Sequence, residues 1–483
     1  MTISVLSVAS EAVPLVKTGG LADVVGALPG AVAPHGVEMT TFLPGYPAVL
    51  QAIGAARAVH RYDDLLGHKA RILKAKLGEH PLLVLDAPTL FARDGGPYAD
   101  AAGQDWGDNG LRFAAFSRAA ADVAGGAIKG KAFDVLHAHD WQAAMAPAYL
   151  RYVPDPRPAV RTVMTVHNIA FQGYFDAGFF PRLGLPADAW GIDGVEYHGG
   201  VGFLKAGLQA ADAITTVSPG YAAEIRTAQF GMGLEGLIAA RGDRVSGIVN
   251  GIDRAIWNPE TDGNLPARYA ARSLGTRRAN RKAIEQAFGL DRDDGPLFVV
   301  VSRLTWQKGM DLLIEALDHL VGLGGRLALL GSGDAGLEAS FHAAAARHSG
   351  RIGVHTAYDE ALSHRMQGGG DAILIPSRFE PCGLTQLYGL AYGCVPVVAR
   401  TGGLADTVID ANVAALDAGV ATGIQFLPID RDGLAHAITR TIDLYRQPDI
   451  WRRIQKRGMA ADFSWAKSGR AYADLYARLV RAS

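Results

Sequence analysis

Ala372-Ile-Leu-Ile-Pro376-Ser-Arg-Phe-Glu380-Pro-Cys382-Gly383-Leu384-Thr385-Gln-Leu-Tyr388-Gly-Leu-Ala-Tyr-Gly393 is the stretch from which the fold can be read. Ala372 to Ile375 is an apolar run of the kind found in fully buried parallel strands, and it stops at a proline. From Leu384 onward, apolar residues at 384, 387, 390 and 391 follow helical spacing. A glycine-bearing turn therefore joins a strand to a helix. Gly383, Leu384 and Thr385 present backbone N–H groups at a helix start, where the dipole favours an anion such as phosphate. Glu380 stands one short turn earlier. Taken alone, such a corner reads as a helix cap; the rest of the chain changes that reading.

The same alternation runs through all 483 residues, which is too long for one ordinary core and predicts two or three domains. Strand-like runs at Ile3 to Ala9, Val37 to Leu43, Leu82 to Leu85, Asp134 to His137, Thr162 to Val166 and Ile214 to Val217 alternate with helical or loop segments. A second set follows at Leu297 to Ser302, Arg326 to Gly331, Arg351 to Thr356, Ala372 to Ser377 and Val395 to Arg400. Alternation of this kind predicts α/β architecture, two doubly wound parallel sheets of Rossmann-like type. Between the sets, Asn250-Gly251-Ile252-Asp253 opens a stretch rich in Asn, Asp, Gly and Pro, which is where a hinge is expected. The predicted domains are residues 1–250, 251–460 and a C-terminal helix, 461–483, packing back on the first. Arg400-Thr-Gly-Gly-Leu-Ala-Asp406 repeats Lys17-Thr-Gly-Gly-Leu-Ala-Asp23 with six identical residues, so each sheet is expected to present a glycine loop to a shared cleft.

Composition narrows the function. A hydrophobic share of 49% against 20% charged residues supports sizeable cores rather than disorder. The net charge of -1 gives no electrostatic argument for nucleic acid or an anionic membrane. The two cysteines, Cys382 and Cys394, make neither a disulfide framework nor a Cys-rich metal site. Met1 to Ser10 reads as a first core strand rather than a signal peptide, and no apolar run reaches spanning length, so a cytoplasmic protein is expected. A homo-oligomer is compatible with all of this.

Strand ends collect the polar residues. Ligands of doubly wound sheets bind at the carboxyl ends of strands, where His137-Ala-His-Asp140-Trp141 and Val166-His167-Asn168 fall. In the second set, Ser302-Arg303-Leu-Thr-Trp-Gln-Lys308-Gly309 follows the first strand. Arg303 offers a planar fork for phosphate oxygens and Lys308 a compact charge, and with the Glu380 turn they form a diphosphate clamp. Gly331-Ser-Gly-Asp334 is another small-residue loop, and Tyr358 follows the next strand.

Together, Lys-Thr-Gly-Gly-Leu-Ala-Asp-Val, His-Ala-His-Asp-Trp, Thr-Val-His-Asn, Asn-Gly-Ile-Asp, Ser-Arg-Leu-Thr-Trp-Gln-Lys-Gly and Ser-Arg-Phe-Glu-Pro-Cys-Gly-Leu-Thr-Gln resemble the retaining glycosyltransferase family of bacterial glycogen synthases and plant starch synthases. The motifs run in family order from Lys17 to Gln386. The resemblance implies the two-domain glycosyltransferase B (GT-B) fold, ADP-glucose as donor and an α-1,4-glucan as acceptor, with glucose added at the non-reducing 4-hydroxyl and ADP released. It implies that Arg303 and Lys308 bind the diphosphate with the N–H groups of Gly383, Leu384 and Thr385 and with the Gly19-Gly20 loop, that Glu380 holds the glucose, and that His167 and Asp140 line the glucose and acceptor site. Lys17 would stand near the phosphates and Tyr358 near adenine, with Tyr98 and Trp141 stacking on acceptor sugars. Asp23, Asn168, Asn250 and Cys382 join the binding set as members of the same motifs. Related glucosyltransferases carry a second glutamate eight positions after the first; Tyr388 stands there, which leaves the ribose unassigned. No Asp-Xaa-Asp stands at a strand end to hold a metal-diphosphate, so no metal and no cofactor is expected. The alternatives are a related retaining glucosyltransferase using UDP-glucose or a small acceptor, a phosphorylase, for which the chain is short and the pyridoxal-lysine motif missing, and a non-catalytic glucan-binding protein.

Overall fold

The computed structural model describes residues 2–152, 160–357 and 359–481. The chain divides into two compact units, one comprising Met1–Gly251 with Trp465–Ser483 and the other Ile252–Ser464.

The first unit is built on a nine-stranded sheet. From one edge its strands run Val245–Gly247, Ala213–Thr216, Arg161–Val166, Val135–His139, Ile3–Val8, Val37–Pro44, His80–Asp86, His68–Leu77 and Arg57–Leu65. Neighbours are parallel through His80–Asp86, after which the last two strands return antiparallel. That edge ribbon is a departure from the purely parallel sheet predicted above. Its strands alternate, but their outward positions carry Arg57, Arg61, Asp63, Lys69, Arg71 and Lys74, and this charge masks the strand pattern while protecting an edge from further pairing.

One face of this sheet is covered by the helix Gly20–Val32 and the C-terminal helix Trp465–Arg481. Leu28 and Val32 of the first and Tyr472, Leu475 and Tyr476 of the second pack with Val5, Val37, Val135 and Val163 of the strands. Ser468 donates to the Val249 carbonyl at 2.6 Å, and the Tyr476 hydroxyl meets His137 Nδ1 at 2.7 Å. These contacts explain why the last helix belongs to the unit that the chain left at residue 251.

The second unit holds six parallel strands, ordered Ile352–His355, Arg326–Leu330, Leu297–Val301, Ala372–Ile375, Val395–Ala399 and Ile424–Phe426. Numbered within the unit, this is the order 3-2-1-4-5-6 of a dinucleotide-binding sheet. Both faces are buried, as the register dictates. Phe298, Val300, Leu327 and Leu329 enter one apolar cluster, while Leu297, Val299, Ala328 and Leu330 enter another on the opposite face. The sequence reading placed five of these strands; Ile424–Phe426 is only three residues long. Residues 252–269 are not a free linker, because Ile252, Trp257, Leu265 and Tyr269 pack with Leu387, Leu390 and Tyr392 of the second unit.

Candidate active site

In a doubly wound sheet the crevice opens where strand order reverses. In the second unit that point lies between Leu297–Val301 and Ala372–Ile375, and the segments leaving those two strands are Ser302–Gly309 and Pro376–Gly383. Hydrogen bonds to backbone carbonyls stitch them together: Arg378 N donates to Gln307 O at 2.9 Å, and Arg378 Nη1 to Trp306 O at 2.7 Å. The Arg378 guanidinium grips Asp311 with two nitrogens at 2.7 Å and lies over the Trp306 ring at 4.5 Å. Gly309 has φ +67°, and a Cβ there would meet the Pro376 carbonyl oxygen at 2.0 Å. Only glycine permits this approach.

The approach brings Lys308 and Glu380 together. Lys308 Nζ donates to Glu380 Oε2 at 2.5 Å, and the buried Ser377 hydroxyl donates to the same oxygen at 3.0 Å. Their side chains are only 17% and 10% exposed. Arg303 is exposed, and its guanidinium has no ion-pair partner among the described residues. The helix Thr385–Tyr392 starts beside them, with Gly383 at φ +73° and half-buried Leu384 at the cap. Cys382 is buried under the turn, so it is a packing group rather than an exposed thiol. Tyr388, one turn into the helix, stacks on Trp257 with ring centroids 3.6 Å apart. Tyr358 lies outside the described residues.

The repeated Thr-Gly-Gly motif behaves differently in its two settings. Thr401, Gly402 and Gly403 are buried, and Gly403 N donates to Glu380 O at 3.0 Å. A Cβ on Gly403 would strike the Cys382 carbonyl oxygen at 2.3 Å. The expectation of two glycine loops open to ligand is corrected here: the second copy buttresses the Glu380 turn from behind. Gly19 and Gly20 are exposed with open space where a Cβ would stand, at the start of the helix Gly20–Val32. That loop carries Lys17, paired with Asp23 at 2.8 Å.

The first unit's own strand-order reversal lies between Ile3–Val8 and Val135–His139. Past the second of these strands, Asp140 is held at φ +55°, a left-handed conformation uncommon outside glycine but more accessible to aspartate than to most residues. Its Oδ1 accepts from the backbone N–H of His167 at 2.7 Å and of Asn168 at 3.4 Å. Burial, opposed by those hydrogen bonds and abetted by the charge of Glu11, pushes the Asp140 carboxyl up to about 7. His167 stands over His139, Nε2 to Nδ1 at 3.0 Å, and His139 Nε2 meets Ser7 Oγ at 3.2 Å. Burial lowers both imidazoles, His167 to about 3 and His139 well below its ordinary value, so both are neutral at pH 7. Asn168 closes its own turn by accepting from Ala170 N at 3.0 Å.

Two aromatic expectations change. Trp141 is wedged among Phe113, Phe175 and Phe203 with centroids 5.1 to 6.1 Å away, and Gly173 presses on its indole. One side of this half-buried ring is therefore taken up by packing rather than free as a platform for a sugar. The Tyr98 hydroxyl is turned inward, bonded to Ser10 Oγ at 2.7 Å and donating to Glu11. Asn250 is buried with Oδ1 unpartnered among the described residues. Sequence reasoning assigned nothing to Glu11, whose signal was only its place at a strand end. Among the described residues no group of three or more His, Cys, Asp or Glu could hold a metal ion, and no helix is long and apolar enough to cross a membrane.

Two Rossmann-like units, one with a cation–carboxylate pair beside a helix start and one with an open glycine loop, have the architecture of the GT-B class of glycosyltransferases. Residues 4–240 match the family described as starch synthase catalytic domain, and residues 281–457 match glycosyl transferases group 1. The chain is 70% identical over 481 residues to a glycogen synthase of Novosphingobium aromaticivorans and 61% identical over 478 residues to one of Mesorhizobium japonicum, each alignment covering 99% of both chains. Its structure is similar to the catalytic domain of starch synthase IV from Arabidopsis thaliana bound to ADP and acarbose, with a TM-score of 0.87 and 31% identity, covering 100% of both chains. The chain belongs to the glycogen and starch synthase family of glucosyltransferases.

Proposed function

We propose that the protein transfers glucose, with retention, from ADP-glucose to the non-reducing 4-hydroxyl of an α-1,4-glucan, releasing ADP. The observation that carries this reading is the Lys308–Glu380 pair at the strand-order reversal of the second sheet, beside the helix start at Gly383 to Thr385. The ADP and acarbose held by the Arabidopsis structure support a nucleotide and a glucan as ligands here.

Breaking the anomeric C–O bond gives glucose oxocarbenium character and leaves negative charge on the diphosphate. Lys308, Arg303 and the N–H groups of Gly383, Leu384 and Thr385 bind that charge more tightly as it grows, which lowers the barrier rather than merely tightening substrate binding. The family resemblance assigns the Gly19-Gly20 loop and Lys17 to the donor phosphates as well. Glu380 has one carboxylate oxygen already occupied by Lys308 and Ser377, a poor arrangement for a nucleophile. We assign it to orienting the glucose. The acceptor 4-hydroxyl then attacks the face that the phosphate leaves, and its proton passes to the departing phosphate oxygen. His167 and Asp140 line the glucose and acceptor side, Asn168, Asn250 and Asp23 support it, and Tyr358 takes the adenine. The proposal includes independence from metal and a cytoplasmic setting.

Incubating the protein with glycogen and carbon-13-labelled ADP-glucose tests it. The expected product carries new α-1,4 linkages by NMR, and Glu380→Ala abolishes their formation while leaving glycogen binding intact. Binding of glycogen without transfer by the parent protein would instead support a glucan-binding role.

A further inference from the structure

Glu11 is 2% exposed and has no lysine or arginine partner among the described residues. Its carboxylate takes three donors. Thr18 N donates to Oε2, Thr18 Oγ1 donates to Oε1 at 2.7 Å, and the Tyr98 hydroxyl donates to Oε1. Tyr98 is itself fixed, since its carbonyl accepts from Trp106 N at 3.0 Å and Asn109 Nδ2 at 2.9 Å. Two of the three donors come from the residue immediately before Gly19-Gly20, and the nearest lysine, Lys17, is taken by Asp23. Burying a carboxylate without a cation is costly, and a neutral side chain could close a turn at less cost. What the charge adds is a rigid hold on Thr18 from both its N–H and its hydroxyl, which fixes the direction of the next two N–H groups.

We propose that Glu11 is a positioning residue of the N-terminal half-site: through Thr18 it holds the Gly19-Gly20 loop in the conformation that receives the donor's phosphates, and from an adjacent strand it sets a negative charge on the same rim as Asp140. The second part follows from topology. Glu11 and Asp140 leave adjacent strands of the sheet, Ile3–Val8 and Val135–His139, at the point where strand order reverses. The other ionisable groups around Glu11 are Tyr46 and Tyr98, both held protonated by burial, Arg112 behind Tyr46, and the Lys17–Asp23 pair in the loop; His139 and His167 stand behind Asp140. None of them is a cation in contact with Glu11. The inference rests on the proposed role of the Gly19-Gly20 loop in donor binding.

Glu11→Gln keeps the shape and removes the charge. One of the Thr18 or Tyr98 donors then faces an amide N–H₂. The expected result is a fall of about tenfold or more in kcat/KM for ADP-glucose, the scale of losing a charge-assisted hydrogen bond, with KM for glucan within twofold. If ionised Asp140 contributes to the acid limb of the rate profile, that limb moves slightly to lower pH, because a neighbouring negative charge that opposed its ionisation is gone. Thr18→Val, which removes the hydroxyl donor from the other side, is expected to give part of the same loss and to be non-additive with Glu11→Gln. Amide hydrogen exchange supplies a readout free of turnover: the Thr18 amide, which donates to Glu11 Oε2, is expected to lose protection in Glu11→Gln while the rest of the helix Gly20–Val32 keeps its own. Unchanged loop exchange and an unmoved acid limb would overturn the inference, as would a Gln variant that loses melting temperature but keeps its kinetics. A parent protein that transfers no glucose, yet whose loop loosens in the Gln variant, would overturn the proposed function and leave Glu11's hold on the loop standing.

Discussion

Replacing Lys308 with methionine keeps most of the side-chain volume and removes a single charge from the centre of the C-terminal half-site. Two separable effects follow from the geometry. Glu380 loses a donor at 2.5 Å in a setting where the two side chains are 17% and 10% exposed. A carboxylate left unpaired in a fully buried site costs about 3–5 kcal/mol, and here the residual exposure and the remaining Ser377 hydroxyl reduce that to about 1–3 kcal/mol. The catalytic effect is distinct, because the departing diphosphate loses a cation that the transition state needs more than the ground state does. By analogy with removal of an oxyanion donor, kcat should fall about 10²- to 10³-fold, or about 2.7–4 kcal/mol of barrier. Lys308→Arg should recover only part of this, since a planar fork cannot occupy the same point contact with Glu380. The assay is initial-rate ADP release at saturating glycogen across a range of ADP-glucose, alongside thermal unfolding of the same preparations. A Lys308→Met protein whose kcat stays within fivefold of the parent while KM for ADP-glucose rises would refute the reasoning, because Lys308 would then contribute uniform binding rather than selective stabilisation of the leaving group.

Gly309→Ala should destabilise the second unit by more than about 1–3 kcal/mol, since a left-handed backbone is combined with a Cβ that would lie 2.0 Å from the Pro376 carbonyl oxygen; chemical denaturation measures this, and a change below about 0.5 kcal/mol would contradict the close packing of the two loops. Trp141→Ala should cost a large part of the about 3–5 kcal/mol of a buried aromatic truncation, because the half-buried ring packs on three phenylalanines, whereas a stable variant with only a raised KM for glucan would restore Trp141 as a sugar platform. Asp140 has a folded-state carboxyl raised from 3.8 to about 7, so its contribution to stability is full below 3.8 and is lost as pH rises towards 7. Asp140→Asn, which can still accept from His167 and Asn168, should therefore melt higher than the parent at pH 8, with the advantage shrinking towards pH 4; an equal advantage at both pH values would exclude Asp140 as its source.

Much of this architecture could be read in the chain because its signals are local. A strand, a proline, a glycine turn and a helical apolar pattern lie consecutively from Ala372 to Gly393, and the strand, turn and helix of the structure follow them. Arg303 and Lys308 were readable for the same reason, as residues leaving a strand. Their meeting with Glu380 depends on strand order, which places residues 72 apart at one reversal point. What escaped the sequence was orientation. An aromatic residue does not announce which face is packed, so Trp141 looked available although Phe113, Phe175 and Phe203 surround it. Two identical Thr-Gly-Gly motifs looked equivalent, yet one is open and the other is filled by the Cys382 backbone. Glu11 is a lone acid whose three donors come from residues 18 and 98, and no spacing rule connects them. The edge ribbon from Arg57 to Leu77 was hidden by its exposed charges.

The central claim is that the site is built for a nucleotide diphosphate leaving group and a glucan acceptor. Its most direct test mixes the purified protein with glycogen and either ADP-glucose or UDP-glucose, in the presence of EDTA, and follows nucleotide release together with glucose incorporation into polymer. The account predicts incorporation from ADP-glucose in preference to UDP-glucose, matched mole for mole by ADP release and unaffected by the chelator. Silence with both donors, while glycogen still binds, would contradict it.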